Sequence, residues 1–413
     1  MNVGLLGAGT VGGSLLEILA RDSERIAAVN GSPVRVIRVL EPDPSKHDRI
    51  RSFGAQVALD IEEILGDESI EVVVELIGRV DPARGLVAQA LQRGKHVVTA
   101  NKDLISEHLD ELQRIASRRN VALLFEASVC AAIPLLKPLS GFLRFNRIRG
   151  IAGIVNGTTN YILTRMAETE SPFEEALTEA QRLGFAEADP SADIKGLDAA
   201  RKICILARLA YGIPVKPGEI PVEGIEGITS KDMVAGKSAG LALKSIAAAV
   251  IADEGDHLID VRVGPAYVSA GSQLASVKDS FNAVEIQGEP VDTLFFVGRG
   301  AGGSPTASAI VGDLLEIQRL REAASALSSS RCDYRLLPVE RVESRWFVRG
   351  PHPALAGELA RFGIPVEKSR DLAAPAGETA VFTGTTPDRR LLAAVDRLRE
   401  SGLRDVRAIR FYR

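Results

Sequence analysis

The feature that most constrains the fold is a glycine-rich turn close to the first residue. An apolar run at 2–6 is followed by the sequence GAGTVG at 7–12 and then by leucines with helical spacing. A strand, a G-x-G-x-x-G turn and a helix in this order form a dinucleotide-binding fingerprint, because the glycines permit a tight turn and let a pyrophosphate approach the helix N-terminus. We therefore expect a nicotinamide dinucleotide to contact Gly7, Gly9, Thr10, Val11 and Gly12.

The residues that follow alternate between strands and helices. The pattern predicts strands at 34–40, 71–77 and 96–99, with helices at 60–65 and 82–93. We expect an α/β fold with a Rossmann-type, doubly wound parallel sheet, in which ligands bind beyond the carboxyl ends of the strands.

Candidate cofactor residues lie at two of these strand ends. Glu41 follows the second strand, where an acid would accept hydrogen bonds from an adenosine ribose and repel a 2′-phosphate. A solvated loop acid is the alternative for Glu41. Thr99, Asn101 and Lys102 follow the strand at 96–99, and we expect them to line the cofactor site. An ordinary surface lysine is the alternative for Lys102.

A second stretch, GFAEADPSADIKGLDAARK at 184–202, carries the charged candidates for chemistry. Residues 186–194 have no apolar period and predict a loop, whereas helical periodicity begins at Gly196. On that helix Lys202 lies on the apolar stripe, with Asp198 one turn before it. Such a lysine is either an ordinary partner of the aspartate with a snorkelling chain, or an acid/base group with a lowered pKa.

The same stretch resembles the signature of the homoserine dehydrogenases, G-[FY]-A-E-x-D-P followed by D-x-x-G-x-D-x-x-x-K. Other segments also resemble that family, among them A-N-K at 100–102, N-G-T-T-N-Y at 156–161, and a glycine loop with a following T-A-S-A helix at 298–314. The resemblance covers about residues 1–320. Every fixed position of the signature is met, at Gly184, Phe185, Ala186, Glu187, Asp189, Pro190, Asp193, Gly196, Asp198 and Lys202.

The resemblance implies an enzyme that interconverts L-homoserine and L-aspartate 4-semialdehyde with NAD(P), in threonine, methionine and isoleucine biosynthesis. Lys202 is then the candidate acid/base group, with Lys102 as partner or alternative, and Asp198 orients Lys202 or binds substrate. Asn156 and Thr158 are also typical helix caps. The implied contacts are Glu187, Asp193, Asp198, Asn156 and Thr158 for the substrate, and Gly7, Gly9, Thr10, Val11, Gly12, Glu41, Thr99, Asn101, Lys102 and Gly302 for the cofactor.

The segment EASVCAAIP at 126–134 resembles the family's E-A-x-V element. In the family this element corresponds to a monovalent-cation site, for Na⁺ or K⁺, which implies ligands at Glu126, Val129, Ala131 and Ile133. The last three would act through backbone carbonyls, which suit a hard cation. The residues CAA at 130–132 replace the glycine-rich run that usually precedes I-P.

The C-terminal segment has an element pattern of its own. Strands at 345–349, 366–369, 379–383 and 406–411, with helices at 354–362 and 388–400, are predicted in the order βαββαβ. That order is typical of a ferredoxin-like fold and resembles an ACT domain, which would bind an effector or serve assembly. The expected domains are a nucleotide-binding domain at 1–126 completed by about 304–322, a mixed α/β substrate-binding, catalytic and dimerisation domain at 127–303, a linker at 323–343, and the ACT-like domain at 344–413.

Composition and charge exclude several classes of function. A net charge of −4 without a basic, aromatic cluster argues against nucleic acid, and no apolar run reaches membrane-spanning length. The three cysteines are far apart and indicate a reducing compartment, so we expect a cytoplasmic protein. By resemblance, a homodimer or homotetramer is expected. Two alternatives stay open: another Rossmann oxidoreductase of amino-acid aldehydes, and a non-catalytic amino-acid sensor.

Overall fold

The protein is described here by a computed structural model covering residues 1–253, 255, 257–323, 334–367 and 378–412. Residues 324–333 of the expected linker and 368–369 of the expected strand at 366–369 lie outside the described residues. The strands are β1 (Asn2–Leu6), β2 (Arg35–Leu40), β3 (Gln56–Ala58), β4 (Val72–Glu75), β5 (His96–Thr99), β6 (Leu123–Leu124), β7 (Arg147–Ile154), β8 (Leu241–Asp253), β9 (Leu258–Ser269), β10 (Phe281–Glu289), β11 (Asp292–Arg299), β12 (Arg335–Leu336), β13 (Glu343–Gly350), β14 (Thr379–Phe382), β15 (Thr386–Pro387) and β16 (Arg407–Phe411).

Helices connect most of these strands. They are α1 (Thr10–Arg21), α2 (Ser23–Asn30), α3 (His47–Ser52), α4 (Glu62–Leu65), α5 (Val80–Gln92), α6 (Lys102–Arg119), α7 (Leu136–Ser140), α8 (Gly157–Thr169), α9 (Phe173–Arg182), α10 (Ser191–Ile194), α11 (Leu197–Tyr211), α12 (Ser230–Ser238), α13 (Gln273–Ser276), α14 (Gly303–Ala323), α15 (Leu355–Arg361) and α16 (Asp388–Glu400). Within the described residues, no helix combines the length and apolar character needed to cross a membrane.

The first of two compact units contains the described residues of 1–145, 204–216 and 298–332. Its six-stranded sheet has the order β3-β2-β1-β4-β5-β6, and all its registered pairs are parallel. The expected parallel Rossmann-type sheet is confirmed. Its central strands are continuous apolar runs because both faces are covered, and α1 and α14 pack in the same hydrophobic core as β1 and β4.

The second unit contains the described residues of 146–203, 217–297 and 333–413. Its sheet follows the order β11-β10-β7-β8-β9-β16-β13-β14, with β12 beside β9 and β15 beside β13. Most of the registered pairs are antiparallel, and the long β8–β9 pair forms the centre. This is a mixed α/β unit, in which α8 and α12 contact β8.

The C-terminal strands continue this sheet. β16 pairs in parallel with β9, where Phe411 lies opposite Tyr267, and β13 pairs with both β16 and β14. Phe347, Ala380 and Ile409 are buried in the same apolar cluster as residues of α8 and α9. The strands expected at 345–349, 379–383 and 406–411 and the helices expected at 354–362 and 388–400 correspond to β13, β14, β16, α15 and α16, and these strands belong to the sheet of the second unit. The strand expected at 366–369 is not among the strands of the described residues, where Val366 forms only an isolated bridge with Thr383.

Candidate active site

The glycine turn of the first unit has the geometry that its sequence predicts. Gly7 has φ +93°, and a Cβ there would lie 3.0 Å from the carbonyl oxygen of Leu76. A Cβ on Gly12 would lie 2.3 Å from the carbonyl oxygen of Gly7, so this contact also requires glycine. Gly9 faces open space, and no side chain caps the α1 N-terminus that follows it. An open glycine and free helix N–H groups fit the diphosphate of a dinucleotide.

Glu41 is bound to this turn. Its Oε2 accepts a hydrogen bond from the N–H of Ala8 at 2.7 Å, and its Oε1 accepts one from the N–H of Asp43 at 3.1 Å. The residue is only 5% exposed. Lys46 approaches both acids, with its Nζ 3.4 Å from Oε1 of Glu41 and 3.6 Å from Oδ2 of Asp43. The structure therefore places Glu41 against the glycine turn, and the solvated-acid alternative does not describe it.

Thr99 and Asn101 meet at the end of β5. The Oγ1 of Thr99 accepts a hydrogen bond from the N–H of Asn101 at 3.0 Å. Asn101 caps α6, because its Oδ1 accepts a hydrogen bond from the N–H of Leu104. Its Nδ2 donates to the carbonyl of Arg79 at 2.9 Å. Lys102 is the first residue of α6 and is half-buried.

Gly302 precedes α14 in the first unit and has φ +119°. A Cβ on the next residue, Gly303, would lie 2.4 Å from Oγ of Ser14 and 3.2 Å from the carbonyl oxygen of Thr10. The start of α14 thus packs directly on the first turn of α1. This contact brings Gly302 close to the helix end where we expect the dinucleotide.

Four polar side chains of the second unit form a connected cluster. Asn156 caps α8, its Oδ1 accepting a hydrogen bond from the N–H of Thr159 at 2.9 Å. Its Nδ2 donates to Oδ1 of Asp193 at 2.7 Å and to Oδ2 of Asp198 at 2.9 Å. The fourth member is Lys202. A capping asparagine therefore uses its spare amide protons to join two carboxylates.

Lys202 is held by two acceptors. Its Nζ donates to Oδ2 of Asp198 and to the carbonyl oxygen of Val155, both at 2.7 Å. Lys202 is 8% exposed and Asp198 is 6% exposed. The helix between Gly196 and Gly212, both with positive φ, is confirmed, and it places the two side chains one turn apart. The i,i+4 pair with Asp198 that the ordinary alternative predicts is present, but the lysine side chain is only 10% exposed and does not extend into solvent.

The two carboxylates of the cluster influence each other. Burial, and next the negative charge of Asp198, raise the pKa of Asp193 above its usual value, while the hydrogen bond from Asn156 and the positive charge of Lys202 oppose the shift. A cationic substrate group placed here would relieve the repulsion between the carboxylates. The cluster is therefore an acceptor for positive charge that also holds a proton donor.

Of two further residues expected to contact the substrate, Thr158 is buried and Glu187 is exposed. Thr158 donates to the carbonyl oxygen of Phe185 at 2.6 Å, which attaches the start of α8 to the loop after α9. Glu187 is exposed, and its backbone carbonyl accepts a hydrogen bond from Gln181. The expected loop at 186–194 ends in the short helix α10, which positions Asp193.

The expected cation segment is strained. Cys130 and Ala131 have φ +53° and +38°, values that favour glycine and that cost roughly 1–2 kcal/mol per residue. These are positions at which the family's glycine-rich run is replaced. The Glu126 carboxylate accepts hydrogen bonds from three N–H groups at the start of α7, those of Leu135, Leu136 and Lys137.

The backbone carbonyl groups of the same segment differ from the Glu126 carboxylate in their hydrogen bonding. Val129, Ala131 and Ile133 are each at most 3% exposed. Among the backbone hydrogen bonds of the described residues, none ends on the carbonyl oxygen of these three. Buried carbonyls without a partner fit a hard cation, or water in its place.

One buried acid of the first unit was not identified as a candidate residue from the sequence. Glu75 ends β4 and is 0% exposed. Its Oε2 accepts a hydrogen bond from the hydroxyl of Thr99 at 2.6 Å. The available signal was a carboxylate at the end of the otherwise apolar strand Val72–Glu75, where a fully buried charge is unusual.

The sequence is similar to known proteins over nearly its whole length. Two family models match: one described as "Homoserine dehydrogenase, NAD binding domain" over residues 7–126, and one described as "Homoserine dehydrogenase" over residues 134–315. The homoserine dehydrogenase of Synechocystis sp. is 38% identical over 373 residues, 88% of this chain and 86% of that protein. The Bacillus subtilis homoserine dehydrogenase is 40% identical over 319 residues, 77% of this chain and 73% of that protein.

Solved structures agree with these matches. A homoserine dehydrogenase from Thiobacillus denitrificans superposes with a TM-score of 0.90 at 34% identity, covering 100% of this chain and 98% of that one. A hyperthermophilic archaeal homoserine dehydrogenase in complex with NADPH gives a TM-score of 0.63 at 27% identity, covering 77% of this chain and 97% of that one. The chain therefore belongs to the homoserine dehydrogenase family and is an NAD(P)-dependent oxidoreductase.

Proposed function

We propose that this chain interconverts L-homoserine and L-aspartate 4-semialdehyde with NAD(P). The observation that carries the proposal is the cluster of the buried Lys202, Asp198 and Asn156 with the half-buried Asp193, which combines a proton donor with acceptors for a substrate ammonium. The reaction oxidises a primary alcohol, releases one proton, and is reversible. The dinucleotide, when bound, exchanges a hydride with the substrate carbon.

Lys202 is the proposed acid/base group. Reduction of the aldehyde requires a proton at its oxygen, and oxidation of the alcohol requires removal of that proton. An ammonium fixed by Asp198 and the Val155 carbonyl is oriented and partly dehydrated, which favours proton transfer at a defined atom. Asp198 orients Lys202. Lys102, on the nucleotide unit, remains the alternative acid/base group.

The substrate ammonium is proposed to meet the carboxylates. Asp193 and Asp198 share the donor Asn156, so a cation beside them gains from two negative charges at once. Thr158 positions the loop that carries Glu187, which supplies a further negative charge from an exposed site. The proposed substrate contacts are Glu187, Asp193, Asp198, Asn156 and Thr158.

The proposed cofactor contacts surround the carboxyl ends of the parallel strands. An exposed glycine face and an uncapped helix support diphosphate binding at the first turn of α1. Glu41 places a negative charge beside that turn, and Lys46 offsets part of it. We propose use of both NAD and NADP with a modest preference for NAD. The proposed contacts are Gly7, Gly9, Thr10, Val11, Gly12, Glu41, Thr99, Asn101, Lys102 and Gly302.

A monovalent cation, Na⁺ or K⁺, is proposed at the segment 126–133. Support comes from the carbonyl oxygens of the buried residues Val129, Ala131 and Ile133, on which no backbone hydrogen bond of the described residues ends. Glu126 is proposed to contribute mainly by charge, because both its carboxylate oxygens already accept backbone N–H groups.

The remaining proposals concern organisation. We propose the domain limits 1–126 with 304–322, 127–303, 323–343 and 344–413, the last an ACT-like segment that serves assembly or effector binding. Its element order supports this comparison. A homodimer or homotetramer, a cytoplasmic location and a place in threonine, methionine and isoleucine biosynthesis are proposed on family resemblance.

The test is oxidation of NADPH and NADH by the purified chain with L-aspartate 4-semialdehyde. Succinic semialdehyde, which lacks the amino group, is the matched substrate control. We expect kcat/KM to fall at least about a hundredfold without the ammonium, since several charge-assisted contacts are lost. Equal rates with both aldehydes would favour a different oxidoreductase, and amino-acid binding without turnover would favour a sensor.

A further inference from the structure

Glu75 lies where three loops of the nucleotide unit meet. In the parallel sheet it is registered with Leu6 of β1 on one side and with Thr99 of β5 on the other. The loop after Leu6 is the glycine turn, and the loop after Thr99 carries Asn101. The third loop follows Glu75 itself, and its Leu76 carbonyl oxygen would lie 3.0 Å from a Cβ placed on Gly7, so this loop is adjacent to the glycine turn.

The carboxylate of Glu75 accepts hydrogen bonds from two of these loops. Its Oε1 accepts from the N–H of Ile77 at 2.7 Å. From the other loop, the Thr99 hydroxyl donates at 2.6 Å and the Asn101 amide approaches at 3.5 Å.

Burying this carboxylate carries a cost. Burial raises the pKa of Glu75 above its usual value, and the hydrogen bonds from Thr99, Ile77 and Asn101 offset part of the shift. A charge at this depth is weak evidence for stability, because a well-packed apolar residue is often as stabilising. Its neighbours are donors, so the ionised form is the one that satisfies them.

We propose that Glu75 is a positioning residue for the dinucleotide, which aligns the loop at 76–79 and the turn at 99–101 against the glycine turn. It acts through Thr99 and Asn101 and makes no contact with the reacting atoms. This inference rests on the proposed cofactor contacts and adds to them a buried residue that orients them. The loss of its acceptor would let these loops move independently, so cofactor affinity falls while the second unit is unaffected.

The test compares three variants by fluorescence titration of NADPH without substrate. Glu75→Gln keeps the shape but places an amide donor against other donors. Thr99→Val removes one hydroxyl donor, and Glu71→Gln is the control, an acid just before the other end of the same strand. We expect the Kd for NADPH to rise about tenfold in Glu75→Gln and about threefold in Thr99→Val, with no change in the control.

Three further readouts separate positioning from general structure. In Glu75→Gln the KM for NADPH should rise while the KM for aspartate semialdehyde stays within about twofold. The double variant Glu75→Gln/Thr99→Val should bind NADPH no more weakly than Glu75→Gln alone, because the two side chains share one hydrogen bond. Protonation of Glu75 should weaken NADPH binding by the wild type at acid pH, and the variant should lack that ionisation.

The result that overturns the inference is an unchanged Kd for NADPH in Glu75→Gln. An equal rise in both KM values, or additive losses in the double variant, would also overturn it. Because binding is measured without turnover, failure of the proposed reaction leaves this test intact. If Glu75→Gln fails to fold, the titration of Thr99→Val decides: a Kd equal to that of the wild type contradicts the inference.

Discussion

The Nζ of Lys202 lies 2.7 Å from Oδ2 of Asp198, one turn earlier on the same helix. At the same oxygen the amide of Asn156 donates a second hydrogen bond at 2.9 Å. One carboxylate oxygen therefore orients both the proposed proton donor and the cap of α8. Changes at any of these three side chains should lower turnover, and removal of the lysine should lower stability as well.

Lys202→Met should lower kcat by roughly 10²–10⁴-fold, the span of a lost general acid or base. Methionine retains the apolar stem, and Kd for NADPH should be unchanged since the proposed dinucleotide contacts lie on the first unit. Lys237→Met is the matched control, because Lys237 is exposed on α12. The measurement is kcat in both directions.

Removal of Lys202 also leaves Asp198 without its cationic partner, so the melting temperature must be measured alongside. The variant Lys202→Met/Asp198→Asn relieves the stranded charge and should recover stability without recovering kcat. A fall in kcat of less than tenfold would move the acid/base role to Lys102.

Asn156→Ser should separate capping from bridging. Serine still accepts the hydrogen bond from the N–H of Thr159, so α8 keeps its cap. It has no amide to donate to Asp193 and Asp198, so kcat/KM for homoserine should fall about 10–100-fold with little change in melting temperature. Asn156→Ala loses the cap as well and should lose about 1 kcal/mol of stability. Serine kinetics equal to those of the wild type would rule out a bridging role.

These contacts mark the limit of what the sequence could predict. The pair of Asp198 and Lys202 follows from helical spacing, and the glycines on either side define the helix. Asn156 is 42 residues from Asp198, and no periodicity predicts which loop returns to which helix. The pairing of β16 with β9 could not be predicted either, because the residue pattern of a strand indicates which face is buried but not which strand lies beside it.

Asp193→Asn should raise stability at neutral pH while lowering activity. Burial and the nearby Asp198 raise the pKa of Asp193, so between its ordinary value of 3.8 and the raised value the folded state binds more protons than the unfolded chain. The free energy of unfolding therefore falls as pH rises through that window. The variant Asp193→Asn does not lose this free energy of unfolding, and its higher stability relative to the wild type should disappear below pH 3.8.

Asp189 is the control for Asp193, because its pKa is shifted in the opposite direction. Hydrogen bonds from Ser191 lower the pKa of Asp189, so the stability it contributes is present above the ordinary pKa and lost as pH falls through the lowered one. Asp189→Asn should thus not stabilise the protein at neutral pH. Melting curves of both variants from acid to neutral pH test the pair. A melting temperature of Asp193→Asn below that of the wild type at pH 7 would show that Asp193 is instead stabilised by Asn156.

Exchange of cations should affect stability if the carbonyls of Val129, Ala131 and Ile133 bind Na⁺ or K⁺. A ligand that binds only the folded state stabilises by RT ln(1 + [L]/Kd), about 2.7 kcal/mol at a hundred times Kd. We expect a higher melting temperature in sodium or potassium chloride than in choline chloride at equal ionic strength. Identical curves in the three salts would argue against the site.

Substitution of Arg349 should show whether the C-terminal segment unfolds together with the rest of the second unit. On β13 its guanidinium donates to Oδ1 of Asp232 at 2.8 Å, to Oε2 of Glu378 at 2.9 Å and to the hydroxyl of Thr229 at 3.1 Å. Asp232 at the same time completes the N-terminal capping box of α12 with Thr229. The side chains of Arg349, Asp232 and Glu378 are at most 5% exposed.

Arg349→Met should therefore leave the buried carboxylate of Asp232 without its cation, whereas Glu378 keeps the ammonium of Lys231 at 3.2 Å. We expect the free energy of unfolding to fall by roughly 3–5 kcal/mol. Arg361→Met breaks an exposed pair with Glu358 and should cost about 0–1 kcal/mol. Both are measured by denaturant unfolding of the full chain. A single transition shifted as a whole in Arg349→Met is expected, because β13 and β16 extend the sheet of the unit. A separate early transition, or a loss no larger than in Arg361→Met, would instead indicate a segment that unfolds independently from about residue 344 onward.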